Sequence, residues 1–225
     1  MVGSKRVYAQ SKRSKSANPV PSKKRRRYGA KNFAQPAWSL HAGINAPVLR
    51  GMPQSFKSTL MYRVQLLSLN PTIGGLAAQH FISANGLFDP DVTGVGHQPT
   101  GFDQLMVFYD HYTVIGAKII ATFTNGDTSN GQTVGIYLAD STTAVTDAQQ
   151  IIENGGVVFA ELTKDGTDGY SKTLTLNCNP TKYLGRKSAL SDDILRGSAT
   201  ANPAEDVLFC LWAAPQASVD SSAVF

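Results

Sequence analysis

The sequence predicts an all-β fold, an antiparallel β-sandwich with short helices in its loops. Three observations carry that expectation. After residue 57 the chain breaks into about eight runs rich in β-branched and aromatic residues, each bounded by Gly, Pro, Asn, Asp or Ser clusters. Only two short stretches show the helical apolar period. The connections at 70–75, 85–112 and 180–205 are long, which disfavours an up-and-down meander and suits strands that cross between two sheets. The jelly roll, eight-stranded in its viral form, is the commonest such arrangement and the one expected here.

The elements follow in order. "STLMYRVQLLSL" (58–69) is a β-rich run with Tyr62, Val64 and Leu66 on one face, and "LAAQHFISAN" (76–85) is a second strand. "TVIGAKIIATFT" (113–124) is long and β-branched and stops at the turn cluster "NGDTSNGQ". "TVGIYLAD" (133–140), "GVVFAEL" (156–162), "KTLTLNCN" (172–179) and "DVLFCLWAA" (206–214) follow, and "AVF" (223–225) starts one more. In "GFDQLMVFYDHY", Phe102, Leu105, Met106 and Tyr109 fall at i, i+3, i+4 and i+7, with Asp103 near the positive end of the helix dipole. In "TDAQQIIEN" (146–154), Thr146 or Asp147 caps a second helix and Gly155 stops it. "SDDIL" is read as a single turn. Loops around 126–132 and 163–171 are expected on the outer surface.

Charge divides the chain more sharply than its net of +5 implies. Lys5, Arg6, Lys12, Arg13, Lys15, Lys23, Lys24, Arg25, Arg26, Arg27 and Lys31 place eleven cations in residues 1–31, with no acid among them. The other 10 of the 21 cations face all 16 acids, so the remainder carries −6, and the first acid is Asp89. Residues 1–31 are thus expected to be a disordered basic arm, residues 32–57 an extended linker with Phe33, Trp38 and Phe56 among prolines and glycines, and residues 58–225 the folded body. A flexible polycation gains affinity for a polyanion by releasing counterions, and arginine forks onto phosphate. Tyr8 and Tyr28 do not alternate with the cations, so base reading is not implied. "KKRRR" (23–27) also has the composition of a nuclear-import signal.

Other classes find less support. No apolar run approaches the roughly 20 residues that span a bilayer, and no apolar segment of a secretory signal occurs in the first thirty residues. Cys178 and Cys210 sit in apolar runs and read as two buried free thiols rather than a disulfide framework or a zinc site. Asp89, Asp91, His97, Asp103, Asp110 and His111 are residue types that bind metals and move protons. An EF-hand starting at Asp89 would need Glu at 100, where Thr100 stands, and Pro90 interrupts it. In a Gly/Pro-rich loop, Asp and His more often bond the backbone, so loop architecture is expected, with no catalytic residue, metal or cofactor.

The block "ANGLFDPDVTGVGHQPTGFDQLMVFYDHYTVIGAKI" (84–119) resembles the signature region of the capsid proteins of small circular, Rep-encoding single-stranded (CRESS) DNA viruses. The basic amino terminus and the β pattern after it are similar to that family too. The resemblance implies a jelly-roll coat subunit, roughly sixty copies to a T=1 icosahedral shell, with the arm inside on a single-stranded DNA genome. It also implies a virion protein that visits the host nucleus through the import machinery, with no membrane partner. It places Phe102 to Tyr112 in the helix between the third and fourth strands of that fold, with Asp89, His97, Gln98 and Asp103 shaping the loop that feeds it. A non-viral nucleic-acid-binding protein with a basic tail is the alternative, disfavoured by the acidic body. An enzyme or sugar-binding jelly roll has little to build on in four scattered histidines, His41, His80, His97 and His111.

Overall fold

A computed structural model of the chain describes residues 53–71, 74–217 and 222–225, together with the backbone of two short strands nearer the amino terminus. The chain divides into two units, Met1–Pro53 and Gln54–Phe225. In the first, β1 (Trp38–Leu40) and β2 (Pro47–Leu49) pair antiparallel, with Trp38 opposite Leu49. This pairing falls in the stretch read from the sequence as extended.

The second unit is antiparallel β with short helices. Its strands are β3 (Ala78–Ser83), β4 (His111–Thr113), β5 (Ala117–Thr124), β6 (Gln132–Ala139), β7 (Val158–Leu162), β8 (Ser171–Cys178), β9 (Arg196–Ser198) and β10 (Leu208–Pro215). One sheet has the order β3-β10-β6-β7, β5 pairs with β8, and β4 pairs with β9. At the far end Val224 bridges Leu69 on one side and Asn125 on the other. The long pairings are therefore nested: β6 with β7, β5 with β8 outside them, β3 with β10 outside those, and Leu69 with Val224 outermost. A long hairpin wound on itself so that successive pairs alternate between two sheets is the jelly-roll topology.

The strands form because their side chains alternate between two environments. In β5, Ala117, Ile119, Ala121 and Phe123 turn toward the core while Lys118, Ile120 and Thr122 face solvent. The centre of the sandwich is Phe123, Val134, Ile136, Leu162, Phe209, Leu211, Ala213 and Val224. β10 is buried along its whole length because its other face is covered as well. There Trp212 and Ala214 meet Ile151 of helix α2 (Ala148–Glu153). Truncating a side chain such as Phe209 to Ala would cost about 3–5 kcal/mol. Asp147 caps α2 by accepting from the Gln149 N–H, and Gly155 at φ 75° ends it, as its sequence implies.

Four expectations need correction. The helix read over Phe102 to Tyr112 is α1 (Phe102–Met106), because Phe102 alone of that helix is buried and its N-cap Gly101 has no side chain to cap it. Val107 and Phe108 are exposed, and Tyr112 joins β4, where pairing with β9 outweighs the apolar period. Among the described residues the run at 58–69 pairs only through Leu69. Its inward residues are Leu60, Tyr62 and Val64, then Leu67 and Leu69, because Leu66 sits at φ 61° and inserts one residue into the alternation. Residues 113–124 divide between β4 and β5 at Val114–Gly116. In the stretch 180–205, read as irregular apart from "SDDIL", α3 (Pro180–Tyr183) and β9 also form, alongside the expected turn at Asp193–Leu195 capped by Asp192.

Candidate functional site

The loop between β3 and α1 is built around polar side chains that bond its main chain. Asn85 is buried; its Nδ2 donates to the Glu205 carbonyl at 2.7 Å and its Oδ1 accepts from the Val207 N–H at 3.0 Å. Asn202, on the opposite connection, holds the next turn. Its Oδ1 accepts from the N–H groups of Phe88 and Asp89, both at 3.1 Å, and its Nδ2 donates to the Asp89 carbonyl at 2.8 Å. The Tyr112 hydroxyl accepts from the Leu87 N–H at 2.9 Å and donates to Asn202 Oδ1 at 3.2 Å. Burial pushes the Tyr112 hydroxyl up from its ordinary pKa, against the pull of the Leu87 and Phe88 bonds. Its ring stands edge-on to Phe102 at 5.4 Å. Gly197 lies flat under that ring, where a Cβ would come within 2.2 Å of Tyr112 Cζ.

Asp91 and His97 take up the same task further along. Asp91 Oδ1 accepts from the Thr93 N–H at 3.1 Å and hydroxyl at 2.8 Å, and His80 Nε2 lies 3.3 Å away. His97 lies 2.8 Å through Nδ1 from the Gln98 carbonyl and 3.0 Å through Nε2 from the Arg63 carbonyl. A carbonyl cannot donate, so only the imidazolium satisfies both contacts. Those two bonds raise the His97 pKa above its ordinary value. The ring also lies 4.8 Å from that of Tyr62, which fastens the loop onto residues 60–63.

A second polar centre surrounds the entry of Val224 between its neighbours. Asp127 is buried; it accepts from the N–H groups of Ser129 at 2.7 Å and Asn130 at 2.9 Å, and its other oxygen from Ser222 N–H at 3.0 Å. Desolvation pushes its carboxyl up, and the bonds from Ser129, Ser222 and Asn130 outweigh that and hold it well below the usual carboxylate range. Gln132 Nε2 donates to the Ser222 carbonyl at 2.7 Å and to Asn125 Oδ1 at 3.0 Å. Both main-chain groups of Ser222 are thereby gripped. The loop 126–132, expected on the outer surface, exposes Thr128 and Ser129 but turns Asp127 and Gln132 inward.

Of the residues singled out in the sequence, the structure gathers His97 with Gln98, and Asp91 with His80. Asp103, Asp110 and His111 are exposed and join neither group. Among the described residues no three His, Cys, Asp or Glu side chains cluster as metal ligands do. Lys5, Arg6, Lys12, Arg13, Lys15, Lys23, Lys24, Arg25, Arg26, Arg27 and Lys31 lie outside the described residues. Cys178 and Cys210 are buried free thiols, pushed up by burial to about 11 and about 12. Sequence reasoning missed Asn85, Asn125, Gln132 and Asn202, although the Asn-Gly and Asn-Pro dipeptides at 85 and 202 are turn signals.

No family model and no curated protein matches the chain. Among solved structures it is similar to Desmodium yellow mottle tymovirus, at 11% identity and TM-score 0.33 over 76% of this chain and 90% of that one. It is similar to the empty head of turnip yellow mosaic virus at 14% identity and TM-score 0.33, covering 77% and 88%. A rhinovirus-B5 chain aligns at 12% identity and TM-score 0.34, covering 97% and 80%. Likeness at that level carries no argument, and the jelly-roll assignment rests on the strand pairing itself.

Proposed function

We propose that this chain is the coat protein of a small single-stranded DNA virus, a structural subunit that self-assembles into an icosahedral shell. The observation that carries the reading is the partition of charge. Eleven cations without an acid occupy residues 1–31, while the remainder of the chain is net −6. In this reading residues 1–31 are the genome-binding arm, residues 32–57 the linker and residues 58–225 the shell-forming body. The arm collects phosphate through Lys5, Arg6, Lys12, Arg13, Lys15, Lys23, Lys24, Arg25, Arg26, Arg27 and Lys31, and the same basic block serves nuclear import. The acidic body limits adhesion of the outer shell to nucleic acid. The loop 84–104 supports a structural role, because Asn85 and His97 spend their polar atoms on main chain and Asp91 holds its own turn through the Thr93 N–H and hydroxyl.

Deletion of residues 2–31 tests this. Purified full-length protein is expected to form closed shells by electron microscopy with a nucleic-acid absorbance signal. The shortened protein is expected to keep its β circular dichroism and lose the packaged nucleic acid. Undiminished nucleic acid in shells lacking the arm, or a full-length monomer under every assembly condition, would refute the proposal. The second result would favour a non-viral nucleic-acid-binding protein.

A further inference from the structure

The chain has four Asn-Gly steps, at 85–86, 125–126, 130–131 and 154–155, and all four lie among the described residues. Such a step carries its own nucleophile and electrophile. The main-chain nitrogen of the glycine can attack the side-chain Cγ of the asparagine, because no Cβ on the glycine bars the approach. A folded chain blocks this by holding the glycine N–H in a hydrogen bond, or by fixing the asparagine amide where it cannot turn.

Three of the steps are held in this way. Asn85 is buried with both ends of its amide bonded, to the Glu205 carbonyl and the Val207 N–H, and the Gly86 N–H donates to Ser83 Oγ at 2.7 Å. Asn125 is buried too. Its Nδ2 donates to the carbonyls of Asn130 and Thr163, both at 2.9 Å, and the Gly126 N–H donates to the Ala223 carbonyl at 3.1 Å. Asn130 is half-buried, its Nδ2 donates to Asp127 Oδ2 at 3.3 Å, and Gly131 is packed against Gln216 and the Leu162 carbonyl.

Asn154–Gly155 differs at each point. Asn154, Gly155 and Gly156 are exposed, and among the described residues the Asn154 side chain has no hydrogen-bond partner. Asn154 is the C-cap of α2, at φ −63° and ψ −18°, so the attack waits on the helix end opening. Little opposes that opening. The bond on the attacking nitrogen, from the Gly155 N–H to the Ile152 carbonyl at 3.1 Å, lies in the last turn. A Cβ at Gly155 or Gly156 would meet nothing within 4 Å. Helix ends open locally without unfolding the body.

We propose that Asn154–Gly155 is a site of spontaneous covalent modification, converting to aspartate and isoaspartate with water as the co-reactant. The Gly155 nitrogen gives up its proton and bonds to Asn154 Cγ. The Cγ–Nδ2 bond breaks, ammonia leaves with that proton, and a succinimide closes. Water then opens the ring at either carbonyl. Both products put a carboxylate beside Glu153 at the negative end of the helix dipole, and isoaspartate also lengthens the main chain at the cap. The change falls on the helix that covers Trp212 and Ala214 through Ile151. This reading stands independently of the coat-protein proposal.

Incubation of the full-length protein at pH 8 tests it, followed by proteolytic mapping with mass spectrometry and enzymatic methylation of isoaspartate. In the folded protein Asn154 is expected to convert at least about tenfold faster than Asn85, Asn125 and Asn130, to a mixture of the two products. In urea, which removes the protection, the four rates should converge. Gly155→Ala sets a methyl group beside the attacking nitrogen and should slow conversion at Asn154 in the urea sample, where its effect on the cap drops out. An equal or faster rate at any other Asn-Gly step of the folded protein would overturn the assignment. So would aspartate without isoaspartate at 154, no conversion there while the urea sample reacts, or an unchanged urea rate in Gly155→Ala.

Discussion

Asp127→Asn isolates the grip on Ser222. The carboxylate accepts from three main-chain N–H groups, those of Ser129, Asn130 and Ser222. An amide at this place keeps one acceptor oxygen and turns an NH2 toward a donor. One N–H then loses its charged partner, and a second bond weakens from charge-assisted to neutral. With bonds to charged groups at about 1.5–3 kcal/mol and neutral ones near 1, the variant should lose about 2–4 kcal/mol at pH 7. The pH dependence follows from the direction of the shift. The folded-state pKa is depressed, so the stabilisation is fully present above the ordinary value of 3.8 and is lost as pH falls through the lowered folded value. Urea unfolding of wild type and variant, followed by circular dichroism at pH 7, 5, 4, 3 and 2, measures both effects. The two midpoints should differ most at pH 5–7 and converge toward pH 2. A constant difference across that range, or none at pH 7, would refute the account of Asp127 as an ionised clamp.

Two further outcomes are expected. Asn202→Ala strands the N–H groups of Phe88 and Asp89 and should cost about 2–4 kcal/mol by urea titration; Asn202→Asp, which can still accept from both, should recover part of it. For His97 the folded pKa is raised, so its contribution is complete below the ordinary value of 6.5 and disappears as pH rises through the folded value. Limited proteolysis within 92–100 should therefore accelerate on going from pH 6 to pH 8.5 in wild type, and His97→Phe should cleave fast at both.

What the sequence revealed and what it hid have physical causes. β5, β6, β8 and β10 were legible because each buries one face or both, and burial writes itself into alternation or into an apolar run such as "VLFCLWAA". The cap of α2 was legible because Asp147 and Gly155 act locally. α1 was overextended because Tyr109 keeps the helical period, while the chain after Met106 turns to join β4, whose partner β9 lies far along the sequence. Leu66 misled because an αL residue shifts the phase without any sequence mark, since Leu is a poor candidate for that conformation. The polar hubs were hidden for another reason. Asn202 acts on Phe88 and Asn85 on Val207 across more than a hundred residues, and no local pattern encodes such partners. The same holds for Asp91, whose neighbour His80 lies on β3 while Thr93 is close by.

The place of β10 has a consequence for how the molecule comes into being. β3 and β6, its two neighbours, leave the ribosome long before residues 208–215 exist. Until then each presents an unsatisfied backbone edge, and the indole pocket between α2 and Gly135 has no tenant. Nested long-range pairing of this kind folds slowly, because the loops must close before the contacts that reward closure can form, and the order of synthesis leaves β10 as the strand on which completion of the sheet depends.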